Sequence, residues 1–178
     1  MTPIVNKQST LRKGRVFDIT LENVTFPNGF NADMEIIKHP GASAIVPLSD
    51  SEEIILLKQY RHAIGKFIWE IPAGTFDGKE DPLVCAQREL TEETGFSASL
   101  WDYLGTITPV PGYSDERINI YLARKLIAAE QNLDQDEFIE IHRMPFQQAI
   151  EMITKGEIQD AKTITAIFFT DCKLRARA

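Results

Sequence analysis

Three glutamates lie close together near the C-terminal end of a predicted helix, in the stretch RELTEETG that runs from Arg88 to Gly95. On a helical projection Glu89, Glu92 and Glu93 form a carboxylate stripe, and the apolar residues form an opposite face that would pack on the core. Like charges four residues apart cost about 0.2–0.5 kcal/mol per pair. Acids in the last turn also oppose the helix dipole, by about 0.3–1 kcal/mol each. Either the stripe is a solvated acidic face, or it binds a divalent cation such as Mg²⁺, which prefers hard oxygen ligands.

The helix that carries these glutamates has recognisable ends. The stretch DPLVCAQRELTEETG places Asp81 where its side chain can cap the first turn and Pro82 at the first helical position. Gly95 stands where helices commonly end in a left-handed residue. We therefore predict a helix that begins at Pro82 and ends just before Gly95.

A longer pattern surrounds this helix. The stretch GTFDGKEDPLVCAQRELTEETGF fits G-x5-E-x7-R-E-U-x-E-E-x-G-U, where U is a bulky apolar residue, at every fixed position. Those positions are Gly74, Glu80, Arg88, Glu89, Leu90, Glu92, Glu93, Gly95 and Phe96. The stretch resembles the signature of the Nudix hydrolase family. The resemblance implies hydrolysis of a nucleoside diphosphate linked to another moiety, with two or more Mg²⁺ or Mn²⁺ ions per active site.

The resemblance also implies roles for individual residues. Glu89 and Glu93 occupy metal-ligand positions, and Glu92 is either a further ligand or a base. The carbonyl of Ala73 is expected to be a backbone metal ligand.

Three further residues of the signature receive expected roles. Arg88 and Glu80 are expected to form a structural ion pair rather than to contact substrate. Gly74 is expected to permit a close approach of the backbone or a positive φ, and it is counted with the substrate-binding residues.

A second segment, TPVPGYSDERINIYLA, indicates a subgroup within the family. Pro111 stands 16 residues after Gly95, a spacing that resembles the ADP-ribose pyrophosphatase subgroup. In that subgroup a glutamate of this loop positions or deprotonates the attacking water, which implies Glu116 here, with Asp115 as the neighbouring candidate. Pro111 and Gly112 are then substrate-binding residues. In isolation the segment would read as an ordinary Pro-Gly turn followed by a charged loop.

The stretch LKQYRHAIGKFIWEIPAG agrees with the same subgroup. Arg61 lies where related enzymes place an arginine on the phosphates, and its planar fork suits bidentate contact. The alternative for Arg61 is a surface charge at a strand end. Glu70 is expected to bind substrate or the water around a metal, or to have a structural role. Trp69 is expected in the core, and Cys85 is expected to be a packed thiol.

Composition excludes several classes of function. The chain has 178 residues and a formal net charge of -7, so it has no broad basic surface for nucleic acid. The first residues lack the apolar segment of a signal peptide, and no apolar run reaches the length of a membrane span. The two cysteines, Cys85 and Cys172, are far apart and are expected to be reduced thiols. A cytoplasmic protein that binds neither nucleic acid nor membrane is expected.

The predicted elements favour an α+β fold. Strands are predicted in RVFDITLENVTF, MEIIKHP, ASAIVPL, EIILLKQYR, WEIPAG, LWDYLGTI, INIYLARKL and DEFIEIHRM, and two further helices in PFQQAIEMITKG and DAKTITAIFFTDCKL. Strands outnumber helices and do not alternate regularly with them, which favours a mixed sandwich over a doubly wound sheet. Together with the resemblance, this predicts a Nudix α/β/α sandwich with a mixed sheet, plus a small N-terminal antiparallel sheet.

We divide the chain into residues 1–38, the N-terminal strands, and residues 39–178, the Nudix domain. The subgroup is usually a homodimer that exchanges its N-terminal strands and uses them to hold the nucleoside. Phe17, Phe26 or Phe30 could then stack on a base, although each is more often a core residue.

The expected reaction is hydrolysis of the diphosphate bond of ADP-ribose and related nucleoside diphosphate sugars, giving a nucleoside monophosphate and a sugar phosphate. A GDP-mannose hydrolase or a hydrolase of broad specificity would use the same residues. A nucleotide sensor without activity is disfavoured because every position of the signature is kept, and a purely structural protein is disfavoured by the same residues.

Overall fold

The computed structural model describes residues 1–133 and 138–176. The chain divides into two compact units, one formed by residues 1–41 and 108–117, the other by residues 42–107 and the described residues from 118 onward. The fold is α+β with mixed and antiparallel sheets, as predicted. The boundary between residues 38 and 39 stays a prediction.

The first unit contains a three-stranded antiparallel sheet. Its strands are β1 (Ile4–Lys13), β2 (Asp18–Thr25) and β3 (Asn31–Lys38), in the order β1-β2-β3. Strand β1 was not predicted, because every residue of this strand is exposed and the strand therefore lacks the alternation that a buried face imposes. Strand β2 begins at Asp18, three residues after the predicted start at Arg15.

The second unit is built on a mixed four-stranded sheet in the order β7-β4-β9-β8. Its central pair, β4 (Ala42–Pro47) and β9 (Ile118–Ala128), is parallel. The outer strands β7 (Ala73–Thr75) and β8 (Phe96–Ile107) run antiparallel to their neighbours. All six residues of β4 are buried, which is why apolar residues occupy every position of this strand except Ser43.

A second sheet of this unit is antiparallel, with β5 (Glu53–Arg61) between β6 (Lys66–Glu70) and β10 (Ile139–Pro145). The predicted strand DEFIEIHRM corresponds to β10, except that residues 136 and 137 lie outside the described residues.

Helices cover both faces of the mixed sheet. Helix α1 (Pro82–Thr94) packs through Ala86 and Leu90 on a cluster that includes Ile45 of β4. Helices α2 (Phe146–Thr154) and α3 (Ala161–Arg175) belong to the larger cluster on the opposite face. That cluster includes Ala44, Val46, Ile120, Leu122, Ala149, Met152, Ala166 and Ile167. The layers are therefore helix, sheet, helix, as predicted.

The stretch WEIPAG, predicted as one strand, is two. β6 ends at Glu70 and pairs with β5, whereas β7 begins at Ala73 and pairs with β4. Pro72 lies between them and has no N–H to donate to a ladder, but its carbonyl accepts a hydrogen bond from the N–H of Ile45 at 2.9 Å. The chain thus passes from one sheet to the other immediately before α1.

Candidate active site

Local capping fixes both ends of α1. The side chain of Asp81 accepts a hydrogen bond from the N–H of Leu83 at 2.9 Å, and Pro82 begins the helix. Gly95 adopts the left-handed conformation with φ of 70° and donates its N–H to the carbonyl of Thr91. The predicted helix is confirmed, and its last two turns carry the three glutamates.

Two of these carboxylates lie against strand β7. Oε2 of Glu93 accepts a hydrogen bond from the N–H of Ala73 at 2.8 Å. A Cβ atom added to Gly74 would lie only 1.9 Å from Oε1 of Glu89. Gly74 does not have a positive φ, so close approach is the reason for glycine at this position.

The predicted stripe of exposed carboxylates is corrected by this packing. Glu89 and Glu93 are 8% and 2% exposed, and they lie on the buried side of α1 together with Ala86 and Leu90. Only Glu92 faces outward, with a third of its side chain exposed. On the helical projection Glu93 lies only 20° from Ala86, so the acidic and apolar faces overlap rather than oppose each other. A simple solvated acidic face does not describe Glu89 and Glu93.

Arg88 connects the acids of this region. It donates two hydrogen bonds to Glu80, from Nε at 3.1 Å and from Nη2 at 2.9 Å, which confirms the predicted pair. Its Nη1 donates to Oε1 of Glu89 at 2.6 Å and to Oε2 of Glu92 at 3.0 Å, and Nη2 also reaches the carbonyl of Thr75. The hydrogen bond with Glu80 is the main cause that raises the pKa of Arg88, and the same bond lowers the pKa of Glu80.

Within residues 1–133 and 138–176, no three His, Cys, Asp or Glu side chains are gathered into a formed metal centre. Glu89 and Glu92 converge on the guanidinium of Arg88 instead. The donor chemistry nevertheless fits a hard divalent cation, because all three glutamates offer carboxylate oxygens and two of them are buried beside a backbone that only glycine allows.

A second group of charged side chains surrounds Glu70 and includes Arg61, at the end of β5. Nε of Arg61 donates to Oε2 of Glu70 at 2.7 Å, and Nζ of Lys162 donates to Oε1 of the same carboxylate at 2.5 Å. Lys162 also contacts Oδ2 of Asp160 at 3.0 Å. Glu70 is only 3% exposed, so both of its oxygens are satisfied by cations rather than by water.

The charge of Glu93, on α1, also acts on Arg61 of this group. Burial acts to lower the pKa of Arg61, but the hydrogen bond and charge of Glu70, with the charges of Glu93 and Asp160, raise it overall. The pKa of Arg61 is therefore raised in part by Glu93, a carboxylate of the Nudix signature. About 42% of the Arg61 side chain is exposed.

Lys162 and Asp160 were not among the predicted site residues. Asp160 caps α3, because its Oδ2 accepts the N–H of Thr163 at 3.0 Å and the hydroxyl of Thr163 at 2.6 Å. Thr163 in turn accepts the N–H of Ile71 at 2.9 Å. The helix-capping pattern in QDAKT was the available signal for Asp160. No local pattern indicates that Lys162 contacts Glu70, which lies 92 positions earlier in the sequence.

The packed residues agree with their predictions. Cys85 is fully buried, and its thiol lies 3.5 Å from the carbonyl of Gly74. Burial, followed by the charge of Glu89, raises the pKa of Cys85 to about 12. Trp69 packs against the larger core cluster and lies edge-on to the ring of His142 at 4.7 Å.

The predicted loop residues Pro111, Gly112, Asp115 and Glu116 belong to the first unit. Val110 begins a turn there, because its carbonyl accepts the N–H groups of Tyr113 and Ser114. Asp115 accepts a hydrogen bond from the N–H of His39 at 2.9 Å, and Oε1 of Glu116 lies 3.9 Å from Nε2 of His39. An added Cβ at Gly112 would meet no atom within 4 Å. Their roles at the active site stay predictions.

The aromatic residues of the first unit are partly exposed. Phe17 and Phe30 are exposed, which contradicts the core alternative for these two. Phe26 and Phe30 have ring centroids 6.2 Å apart. Stacking on a base stays a prediction for all three.

Comparison with known proteins identifies the family of the chain. A NUDIX domain model matches residues 38–167. The chain is 38% identical over 162 residues to the ADP-ribose pyrophosphatase of Bacillus subtilis, covering 90% of this chain and 88% of that protein. It is 37% identical over 163 residues to the methanol dehydrogenase activator of Bacillus methanolicus, with coverages of 90% and 88%.

Two further similarities complete this comparison. The chain is 32% identical over 181 aligned positions to the GDP-mannose pyrophosphatase of Escherichia coli, covering 90% of this chain and 93% of that protein. A crystal structure described as an ADP compounds hydrolase has the same fold, with a TM-score of 0.88, 23% identity and coverages of 100% and 97%. Because the family model spans well over half of the chain and these relatives align along most of it, the protein belongs to the Nudix hydrolase family.

Proposed function

We propose that this Nudix pyrophosphatase hydrolyses the diphosphate bond of ADP-ribose and related nucleoside diphosphate sugars, giving a nucleoside monophosphate and a sugar phosphate. The observation that carries the proposal is the burial of Glu89 and Glu93 against Ala73 and Gly74. Buried carboxylates are costly unless cations compensate them, so two carboxylates buried at this position support a site built for a cation. The similarity to the ADP-ribose pyrophosphatase of Bacillus subtilis supports the substrate class.

We assign Glu89, Glu92, Glu93 and the carbonyl of Ala73 as the groups that would hold Mg²⁺ or Mn²⁺, with two or more ions per site. Such ions supply charge stabilisation for the diphosphate and a water that deprotonates readily. The number of ions is part of the proposal.

The chain's own residues act on the substrate and on the water. Arg61, whose side chain is partly exposed, would bind the diphosphate through its guanidinium, whose planar fork matches two phosphate oxygens. Glu116 would orient the attacking water or accept its proton at a carboxylate oxygen, and Glu92 is the second candidate for that role. Gly74, Pro111 and Gly112 would line the substrate path. Glu70, whose oxygens are both engaged by cations, would act through Arg61.

A GDP-mannose hydrolase or a hydrolase of broad specificity is the second candidate. The similarity to the GDP-mannose pyrophosphatase of Escherichia coli over 93% of that protein favours it specifically. Both reactions break a diphosphate with the same groups, and they differ in the pocket for base and sugar.

We further propose a cytoplasmic homodimer. The exposed strand β1 supports the dimer, because Ile4, Val5 and Leu11 would gain cover from a second copy. The two free cysteines support a reducing compartment. No helix of the described residues is long and apolar enough to cross a membrane.

A substrate panel tests the function. The protein is incubated with Mg²⁺ and ADP-ribose, GDP-mannose, UDP-glucose, NADH or diadenosine polyphosphates, and phosphate is measured after phosphatase treatment. We expect the highest rate with ADP-ribose. A dominant rate with GDP-mannose, or equal rates across the sugars, would favour the second candidate.

Glu93→Gln tests the site. It should reduce turnover by at least about 10²-fold, since the amide keeps the shape but loses the charge that the proposed cation needs. Glu151→Gln, at an exposed glutamate of α2, is the matched control and should keep wild-type turnover. A folded Glu93→Gln variant with unchanged turnover would contradict the assignment.

A further inference from the structure

The carboxylate of Glu70 is shared between two cations, one on each oxygen. Oε2 accepts a hydrogen bond from Nε of Arg61, and Oε1 accepts one from Nζ of Lys162. Among the residues that the structure describes, Arg61 makes its side-chain hydrogen bond through Nε. Both terminal amino groups of Arg61 therefore stay available for an anion.

This sharing limits how Arg61 can bind Glu70. An arginine beside a carboxylate commonly forms a bidentate pair, with one N–H on each oxygen. Because Lys162 already donates to Oε1, a second bond from Arg61 to that oxygen would compete with an ammonium group in direct contact with it. Without Lys162, Oε1 would be open to one terminal amino group of Arg61, and the fork would lose one arm.

The position of Lys162 is firmly set. It stands at the second residue of α3, where a cation opposes the helix dipole and does not favour helix stability. Asp160 holds Nζ at 3.0 Å, and Thr163 ties the same turn to the N–H of Ile71, next to Glu70. The side chain is only 13% exposed, so it is directed into this cluster rather than into solvent.

We propose that Lys162 is a positioning residue that occupies Oε1 of Glu70 and thereby keeps the fork of Arg61 free for the diphosphate. The inference rests on the proposed function, because it concerns how the substrate is held. Lys162 acts through Arg61 and does not contact the substrate.

Kinetics of Lys162→Met test the role with the best substrate of the panel. The variant should raise KM about 10-fold or more and leave kcat within about threefold, since Arg61 would hold the phosphates equally in the ground state and the transition state. Lys162→Arg, which can still donate to Oε1, should restore KM to within about threefold of wild type. Lys173→Met is the matched control on the same helix, because it removes an ion pair with Asp102 and should leave KM unchanged.

A double-mutant cycle separates positioning from a structural or direct role. In an Arg61→Gln background, Lys162→Met should produce no further increase in KM, because its effect passes through Arg61. If the two changes multiply, or if folded Lys162→Met has wild-type KM, the assignment to Lys162 is overturned while the proposed function stands. If Lys162→Met does not fold at the assay temperature, Lys162→Gln takes its place in the cycle with the same expectations. A wild-type protein inactive on the whole panel would overturn the proposed function, and this inference with it.

Discussion

Gly74→Ala is the substitution for which the structure gives the clearest geometric expectation. The added Cβ would lie 1.9 Å from Oε1, 2.0 Å from Cδ and 2.5 Å from Oε2 of Glu89. Ordinary van der Waals contact begins at 3.4 Å, so the carboxylate must retreat by about 1.5 Å. Glu89 is 8% exposed and bonded to Arg88, so it has little room in which to move.

The expected loss follows from that displacement. Misplacing a group at an active site by 1 Å can cost about 10²-fold in rate, which corresponds to about 2.7 kcal/mol. We therefore expect kcat/KM to fall at least about 10²-fold in Gly74→Ala. Steady-state assays over a range of Mg²⁺ concentrations should also show a higher requirement for the ion, and circular dichroism should show a folded protein.

A compensating change identifies the cause. Glu89→Asp shortens the side chain by one methylene, about 1.5 Å, which is the space that the new methyl group takes. Gly74→Ala combined with Glu89→Asp should be no more than about threefold less active than Glu89→Asp alone. Activity of folded Gly74→Ala within threefold of wild type would contradict a clash with Glu89, and so would a further 10²-fold loss in the double variant.

Two predictions concern the groups around the signature. Cys85 is buried and its pKa is raised, whereas Cys172 is exposed. A thiol reagent at pH 8 should therefore label one cysteine in the native protein and two in denaturant. Rapid labelling of both cysteines in the native protein would contradict the burial of Cys85. Because the bond from Arg88 lowers the pKa of Glu80 in the folded state, this pair contributes stability above the unfolded pKa of about 4.3 and loses it as the pH falls through the folded pKa. Glu80→Gln should therefore lower the free energy of unfolding by about 1–3 kcal/mol at pH 7 and flatten the decline of that free energy between pH 5 and 3. Urea titrations at each pH measure both effects. If the free energy of unfolding of the variant declines as steeply as that of the wild type over this range, the pair is contradicted.

Local signals were enough to predict much of this fold. Asp81, Pro82 and Gly95 are short-range capping signals, and they fixed α1 correctly. The mostly apolar stretch ASAIVPL likewise predicted the strand that became β4. The spacing of the signature identified the family without any knowledge of the three-dimensional contacts.

The features that sequence analysis missed depend on distant parts of the chain. The burial of Glu93 depends on the N–H of Ala73, which β7 brings to the helix from 20 residues away. A helical projection shows which residues share a face, but it cannot show that a strand carrying glycine lies against that face. The contact between Glu70 and Lys162 spans 92 residues, so no local pattern reports it.

The charges of the site explain why an acidic protein can be expected to act on an anionic substrate. Glu70, Glu80, Glu89, Glu92, Glu93 and Asp160 contribute six carboxylates, whereas Arg61, Arg88 and Lys162 contribute three cations. If all are ionised, these groups carry an excess of three negative charges, which would repel a diphosphate bound beside them. Divalent cations would invert the local field, and a single arginine would not, because Arg61 and Arg88 are each already paired with a carboxylate. The arrangement therefore favours a site in which protein cations position the carboxylates and metal cations neutralise the excess charge.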